Sequence, residues 1–173
     1  AVFAIAGTTA IIVGREIGAG RLGHVYEVGA ALDTLAFFCG LVIGLPLVFF
    51  AWFLFPQLLY PFFHLSAQSG QITTMMLTFS GSFLALRAFD SVNTVGVLRG
   101  GGDVRAATVI DLTPMWFVSL PLAALFGLVL RWGIFWVYVG MMAEHFIKFG
   151  VGLHRLRSRA WINDVTRYVD RTE

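Results

Sequence analysis

From Thr34 to Leu86 the chain carries no Asp, Glu, Lys or Arg, and a second charge-free run extends from Leu112 to Leu130. A soluble domain holds about 25% charged residues and spreads them over its surface. Here they make up 13% of the sequence and are clustered. An aqueous fold has no way to cover such runs, whereas a bilayer needs no polar cover. In lipid every backbone N–H and C=O must be satisfied internally, and helices do this within one segment. The expected fold class is therefore all-α, a polytopic transmembrane helical bundle. A hydrophobic content of 58% and a mean hydropathy of +0.80 agree with it.

A span needs about 20 mostly apolar residues. Five candidates occur: 1–13, too short to cross and expected to be truncated at its start; 28–55, broken by Pro46; 71–98; 106–130, with Pro114 and Pro121; and 133–153. Residues 154–173 form a basic tail. The chain starts at Ala1 inside an apolar stretch, without the charged beginning of a signal peptide, and is expected to be a piece of a longer protein. Between the second and third spans "PQLLYPFFHLSAQSGQ" reads as a surface loop with room for an interfacial helix. Tyr60, Phe62 and Phe63 suit the headgroup zone there, and His64 is read as interfacial.

Orientation follows from Lys and Arg. Arg15 and Arg21 follow the first span, Arg99 and Arg105 the third, and Arg155, Arg157, Arg159, Arg167 and Arg171 lie in the tail, against Arg131 alone on the other side. Basic residues flanking spans mark the cytoplasmic face, so the tail and both turns are expected there, in a multi-pass protein of the cell membrane. This distribution also argues against nucleic acid as a partner, because the basic residues follow topology and form no binding stripe. Cys39 sits in an apolar run and reads as a small hydrophobe.

"IGAGRLG" contains a literal G-x-G-x-x-G at Gly18, Gly20 and Gly23. A dinucleotide site requires a preceding strand and an acidic residue about 20 positions on. A membrane helix precedes these glycines, and no Asp or Glu occurs between Asp33 and Asp90. They read instead as a tight turn, matched after the third span by "VLRGGGDVR". Gly14, Gly18, Gly20, Gly100, Gly102 and Asp103 are assigned to these two cytoplasmic turns. Within the spans Gly40, Gly44, Ala123, Ala124 and Gly127 would let helices approach closely.

Charges inside spans are costly, about 2.5–3.5 kcal/mol each on insertion scales, and usually face a partner or a wet cavity. Arg87 and Asp90 are spaced i, i+3 on the third span and share a stripe with Phe83 and Thr94, with Asn93 beside it. From Asp90 to Leu98 is about 12 Å of helix rise, which leaves Asp90 inside the hydrocarbon. Two readings are compatible. Arg87 and Asp90 form a structural ion pair, or Asp90 lines a cavity and binds a proton or Na⁺, tuned by Arg87. Asp33 and Asp111 are assigned structural roles, capping a helix, pairing with an arginine of the adjacent turn or lining an inner vestibule. Glu144 and Lys148 form an i, i+4 pair, with Lys148 snorkelling to the surface. His145 reads as a satisfied core histidine. Met75, Met76, Phe83 and Phe89 share the third span with Asp90, an environment that suits lipophilic cations. No nucleophile–base set, no HExxH and no clustered metal ligands occur, so no catalytic residues, cofactor or resident metal are assigned, apart from Na⁺ at Asp90.

Four segments resemble one family. "VGREIGAG" (Val13 to Gly20) is similar to the VGQxxGAG turn of the multidrug and toxic compound extrusion (MATE) transporters. "DSVNTVGVLRGGGDVR" (Asp90 to Arg105) resembles the family's segment in which an acidic helix residue precedes an LRGxGDxR turn. "MWFVSLPLAALF" (Met115 to Phe126) resembles its W-x-x-x-x-P helix, and "WGIFWVYVG" (Trp132 to Gly140) the start of its last helix. Order and spacing agree up to about Arg159. Arg15 stands where the family has glutamine, and Arg87 is an additional charge.

The resemblance implies the C-terminal lobe of a twelve-helix transporter, its five spans equivalent to helices eight to twelve. It implies antiport, export of organic cations or toxic compounds in exchange for Na⁺ or H⁺, with membrane lipid, a first lobe of the same transporter and small lipophilic or cationic substrates as partners. Asp90 matches the family's acidic cation-site residue, supported by Arg87 and Asn93. The rival readings are a flippase for lipid-linked oligosaccharides of the same superfamily and a non-transporting membrane subunit or scaffold.

Overall fold

The computed structural model describes residues 2–64 and 66–163. Among them the regular elements are all helical: α1 (Val2–Gly18), α2 (Leu22–Phe53), α3 (Phe55–Phe62), α4 (Ala67–Leu98), α5 (Val104–Val129) and α6 (Ile134–Ser158). By length and composition α2, α4, α5 and α6 can each cross a membrane. Large apolar side chains cover the outside, among them Phe38, Val42, Trp52, Phe117 and Leu128. That surface is stable against lipid tails and not against water.

The helices extend beyond the hydropathy boundaries. Helix α2 begins at Leu22 and runs without interruption through Pro46, and α6 continues past Leu153 to Ser158. Hydropathy falls where a helix leaves the bilayer, but backbone hydrogen bonding does not stop there. Ser66 starts α4 by accepting from the backbone N–H of Ser69 at 3.2 Å, five residues before its apolar run begins. The loop between these spans contains the short helix α3.

Proline and π-helical turns go together in α5. A proline ring collides with the carbonyl four residues back, and widening the helix relieves the collision. Pro114 is followed at once by a π-helical stretch, Met115–Ser119, which contains the residue four before Pro121. A further stretch, Val92–Leu98, closes α4 and contains Asn93 and Thr94, both buried.

Helices α2 and α4 pack closely, with no room for a side chain at Gly40 or Gly44. A Cβ on Gly40 would lie 2.6 Å from the Ala85 Cα, and one on Gly44 would run into the Gly81 carbonyl. Without a hydrophobic force between helices in lipid, such close backbone approach supplies the packing energy. Helix α1 lies across the end of α4, with Ala6 and Thr9 against Gly96.

The two glycine turns are shorter than the sequence suggests. Gly14 and Gly18 are inside α1, and Gly100 is still helical; the chain reverses at Gly20 (φ 74°) and Gly102 (φ 86°). In the first turn Arg21 donates to Glu16 from Nε and Nη2, both at 2.7 Å, and this contact holds the partly exposed Glu16 carboxyl below its usual range. In the second, Asp103 caps α5 through the Ala106 N–H (3.3 Å) and accepts from Arg155 Nε (2.8 Å) and Nη2 (2.5 Å). The expected tail is part of the fold up to Asn163. Trp161 is fully buried against Gly29 and Gly101, its Nε1 donates to the Leu156 carbonyl (3.0 Å), and Arg159 lies 4.4 Å above the Tyr26 ring. Both glycine turns and the end of α6 therefore gather at one end of the bundle. Arg167 and Arg171 lie outside the described residues.

Candidate functional site

Helices α2, α4, α5 and α6 bring together most of the charges that the spans contain. Asp90 on α4 is 7% exposed. Its Oδ2 lies 2.8 Å from His145 Nδ1 on α6, and its Oδ1 has no hydrogen-bond partner among the described residues. One turn further along α4, Asn93 donates from Nδ2 to Asp33 Oδ2 on α2 at 2.7 Å, leaving Asp33 Oδ1 and Asn93 Oδ1 unbonded. Deeper along α6, Lys148 Nζ donates to Asp111 Oδ1 on α5 (2.9 Å) and to Glu144 Oε1 on its own helix (3.1 Å). The small residue Gly152 lets α6 approach this cluster: a Cβ there would sit 3.1 Å from Asn93 Oδ1.

Aromatic rings pack around the charges. Phe89 and Phe149 meet edge to face at 4.8 Å, Phe83 and Phe146 at 5.1 Å, and Phe79 stacks on Phe83 at 4.6 Å. Apolar walls strengthen every electrostatic contact inside them.

Several sequence expectations change here. Arg87 does not pair with Asp90. Its side chain is exposed on the outer side of α4, and His145 holds the place assigned to it. An i, i+3 spacing puts two residues near one face, but the long arginine side chain turns to the outside while the short aspartate is covered by α6. His145, read as a satisfied core histidine, is satisfied by Asp90. Lys148 does not snorkel; it is 8% exposed and bridges two carboxylates. Asp111 pairs with this lysine of the last helix and not with an arginine of its own turn. Asp33 neither caps nor pairs with arginine but binds Asn93. The missed partners share one trait: each lies on a helix distant in sequence, so no local spacing reports it.

At the opposite end from the glycine turns an open cavity of about 720 Å³ lies between α2, α3 and α4. Trp52, Tyr60, Gln71, Thr74 and Met75 line it, and Tyr60 Oη and Thr74 Oγ1 are 2.9 Å apart. Among the described residues it is lined by no charged side chain and by no part of the Asp90 cluster.

No family model matches the chain, and no solved structure matches it. The uncharacterized transporter YisQ of Bacillus subtilis (strain 168) is similar, at 25% identity over 159 residues. The match covers 92% of this chain and 34% of that relative, so the chain spans about a third of the relative's length.

Proposed function

We propose that this chain is the C-terminal lobe of a MATE-type secondary transporter, which exports organic cations or other toxic compounds in exchange for Na⁺ or H⁺. The similarity to a protein named a transporter supports the transport role. The four quoted motifs support the family, and the observation that carries the mechanism is Asp90. It is a carboxylate buried within a membrane helix, with one oxygen on His145 and the other without a partner among the described residues. A group held this way exchanges partners readily, because a bound cation fills a vacant bonding position instead of breaking a network.

In this reading Asp90 binds the coupling cation, Asn93 supports it, and Arg87, on the outer side of α4, faces the first lobe. The glycine turns and the end of α6 lie in the cytoplasm, following the Lys and Arg bias. Alternating access comes from rocking of two lobes about a central cavity, so one lobe alone does not transport. The driving energy is the ion gradient.

The test is Asp90→Asn in the complete polypeptide. Loss of gradient-driven efflux at normal expression is the expected result. Unchanged efflux would mean that the buried charges fix helix packing and nothing more, which is the scaffold reading.

A further inference from the structure

Helices α5 and α6 each have a firmly held half and a loosely held one. In the inner halves, next to the glycine turns, Asp103 pairs with Arg155, Asp111 and Glu144 with Lys148, and His145 with Asp90. In the outer halves, residues 120–142, Gly140 alone is buried among the described residues. The side-chain hydrogen bond that reaches this stretch comes from Ser119 Oγ, which donates to the Met141 carbonyl at 3.3 Å. We infer that residues 120–142 form a hinged hairpin, which swings as one body over the outer half of α4 and turns at Met115–Ser119 on α5 and at Ala143 on α6. This stands on the packing and goes beyond the transport reading.

Two weak points lie side by side. Met115–Ser119 is π-helical and sits between Pro114 and Pro121. A π turn holds an extra residue, so its hydrogen bonds can change register towards the α pattern without leaving a donor bare, and helices bend at such places. On α6 the α-helical pattern breaks at Ala143, whose N–H reaches the Gly140 carbonyl three residues back, at 3.3 Å. The bond from Ser119 to Met141 sets both points at one height. A bend in one leg of a hairpin would shear the pair, whereas bends at one height in both legs define an axis.

Beyond that axis the legs grip each other. A Cβ on Gly140 would lie 3.0 Å from Phe126 and 3.2 Å from the Leu122 Cβ, and Phe126 stacks on Trp132 at 5.3 Å. The further π stretch of α5, Leu125–Val129, lies inside this unit, with Gly127 against Val137, and so is clamped. Against α4 the hairpin makes edge-to-face contacts, Phe79 with Phe135 at 6.0 Å and with Tyr138 at 6.2 Å. These give way at little cost, because in lipid an aromatic ring exchanges one apolar neighbour for another. Segments with few buried contacts are the ones that move. The hinge also has an output. Ala143 directly precedes Glu144 and His145, so a swing redirects the turn of α6 that holds Asp90 at 2.8 Å.

Double electron–electron resonance on the complete polypeptide in lipid nanodiscs tests this, with Cys39 and any other native cysteine replaced. Spin labels on Leu128→Cys and, separately, Ile134→Cys report the two legs of the hairpin, and one on Val151→Cys the inner half of α6. Each is measured against a label on Val42→Cys in α2, and all four positions are exposed. Both hairpin pairs should give broad or two-peaked distances and the Val151 pair a single narrow one. Ser119→Ala, which cuts the tie across the axis, should shift the populations of both hairpin pairs together, and so should His145→Ala. Pro114→Ala with Pro121→Ala should collapse both to one distance. Equally narrow distances for all three pairs in the wild type would overturn the hinge. Broadening of one leg alone would overturn motion as one body, and an unchanged spread in the proline variant would remove Met115–Ser119 as the turning point. Populations indifferent to His145→Ala would overturn the coupling to Asp90.

Discussion

Asp90 on α4 and His145 on α6 stand 55 positions apart in sequence and meet at 2.8 Å between Oδ2 and Nδ1, both sheltered from solvent. The contact ties the last helix to the one that carries the candidate cation site. Removing the imidazole leaves a second carboxylate oxygen without a partner, at a cost of about 1–3 kcal/mol for a buried polar group. His145→Ala should therefore lower the melting temperature of the purified protein, and His145→Gln, which keeps a donor in reach, should recover part of the loss. Equal stability of the alanine variant and the wild type would show that the contact contributes nothing.

Arg87 makes the complementary case. Its side chain is exposed and has no ion-pair partner among the described residues. Arg87→Ala should change the stability of the chain by no more than about 0.5 kcal/mol, as for other surface positions. A loss comparable to that of His145→Ala would restore the Arg87–Asp90 pair expected from their spacing.

The contrast between these two residues shows what a sequence of this kind makes legible. Charge-free runs specify membrane helices because hydropathy is a local property, and Thr34 to Leu86 leaves no aqueous alternative. Asp90 stands out for the same reason, as a costly residue in an apolar segment. Its partner does not. Arg87 is close in sequence and His145 is far, and the choice between them is made by how α6 packs on α4 around Gly152. Helix ends are similarly hidden. Gly14 and Gly18 look like turn residues, yet glycine is tolerated in membrane helices, and the reversal waits for the positive φ of Gly20.

Trp161 gives a prediction at the other end of the bundle. It lies beyond the last helix, fully buried against Gly29 and Gly101, in a segment that composition assigns to a basic tail. Replacing a buried aromatic residue by alanine costs about 3–5 kcal/mol. Trp161→Ala should destabilise the bundle by that order and expose the Gly100–Asp103 turn to protease. Removal of residues 164–173 with Trp161 kept provides the control for a non-specific effect of the C terminus. Unaltered melting of Trp161→Ala would mean that the segment after Ser158 does not hold the turn.

Lys148 tests whether the buried charges act as a connected set. It bridges Glu144, largely buried, and Asp111, whose side chain is 46% exposed. The two contacts should differ in weight, since the Glu144 side chain is enclosed by the bundle while that of Asp111 is open on one side. Lys148→Met strands Glu144 without its counter-charge, and breaking a buried pair on one side costs about 3–5 kcal/mol. Adding Glu144→Gln removes the stranded charge and should restore much of the stability, whereas adding Asp111→Asn should restore little. A double-mutant cycle over the two pairs measures this directly. Equal rescue by both partners would show that Asp111 is as well shielded as Glu144.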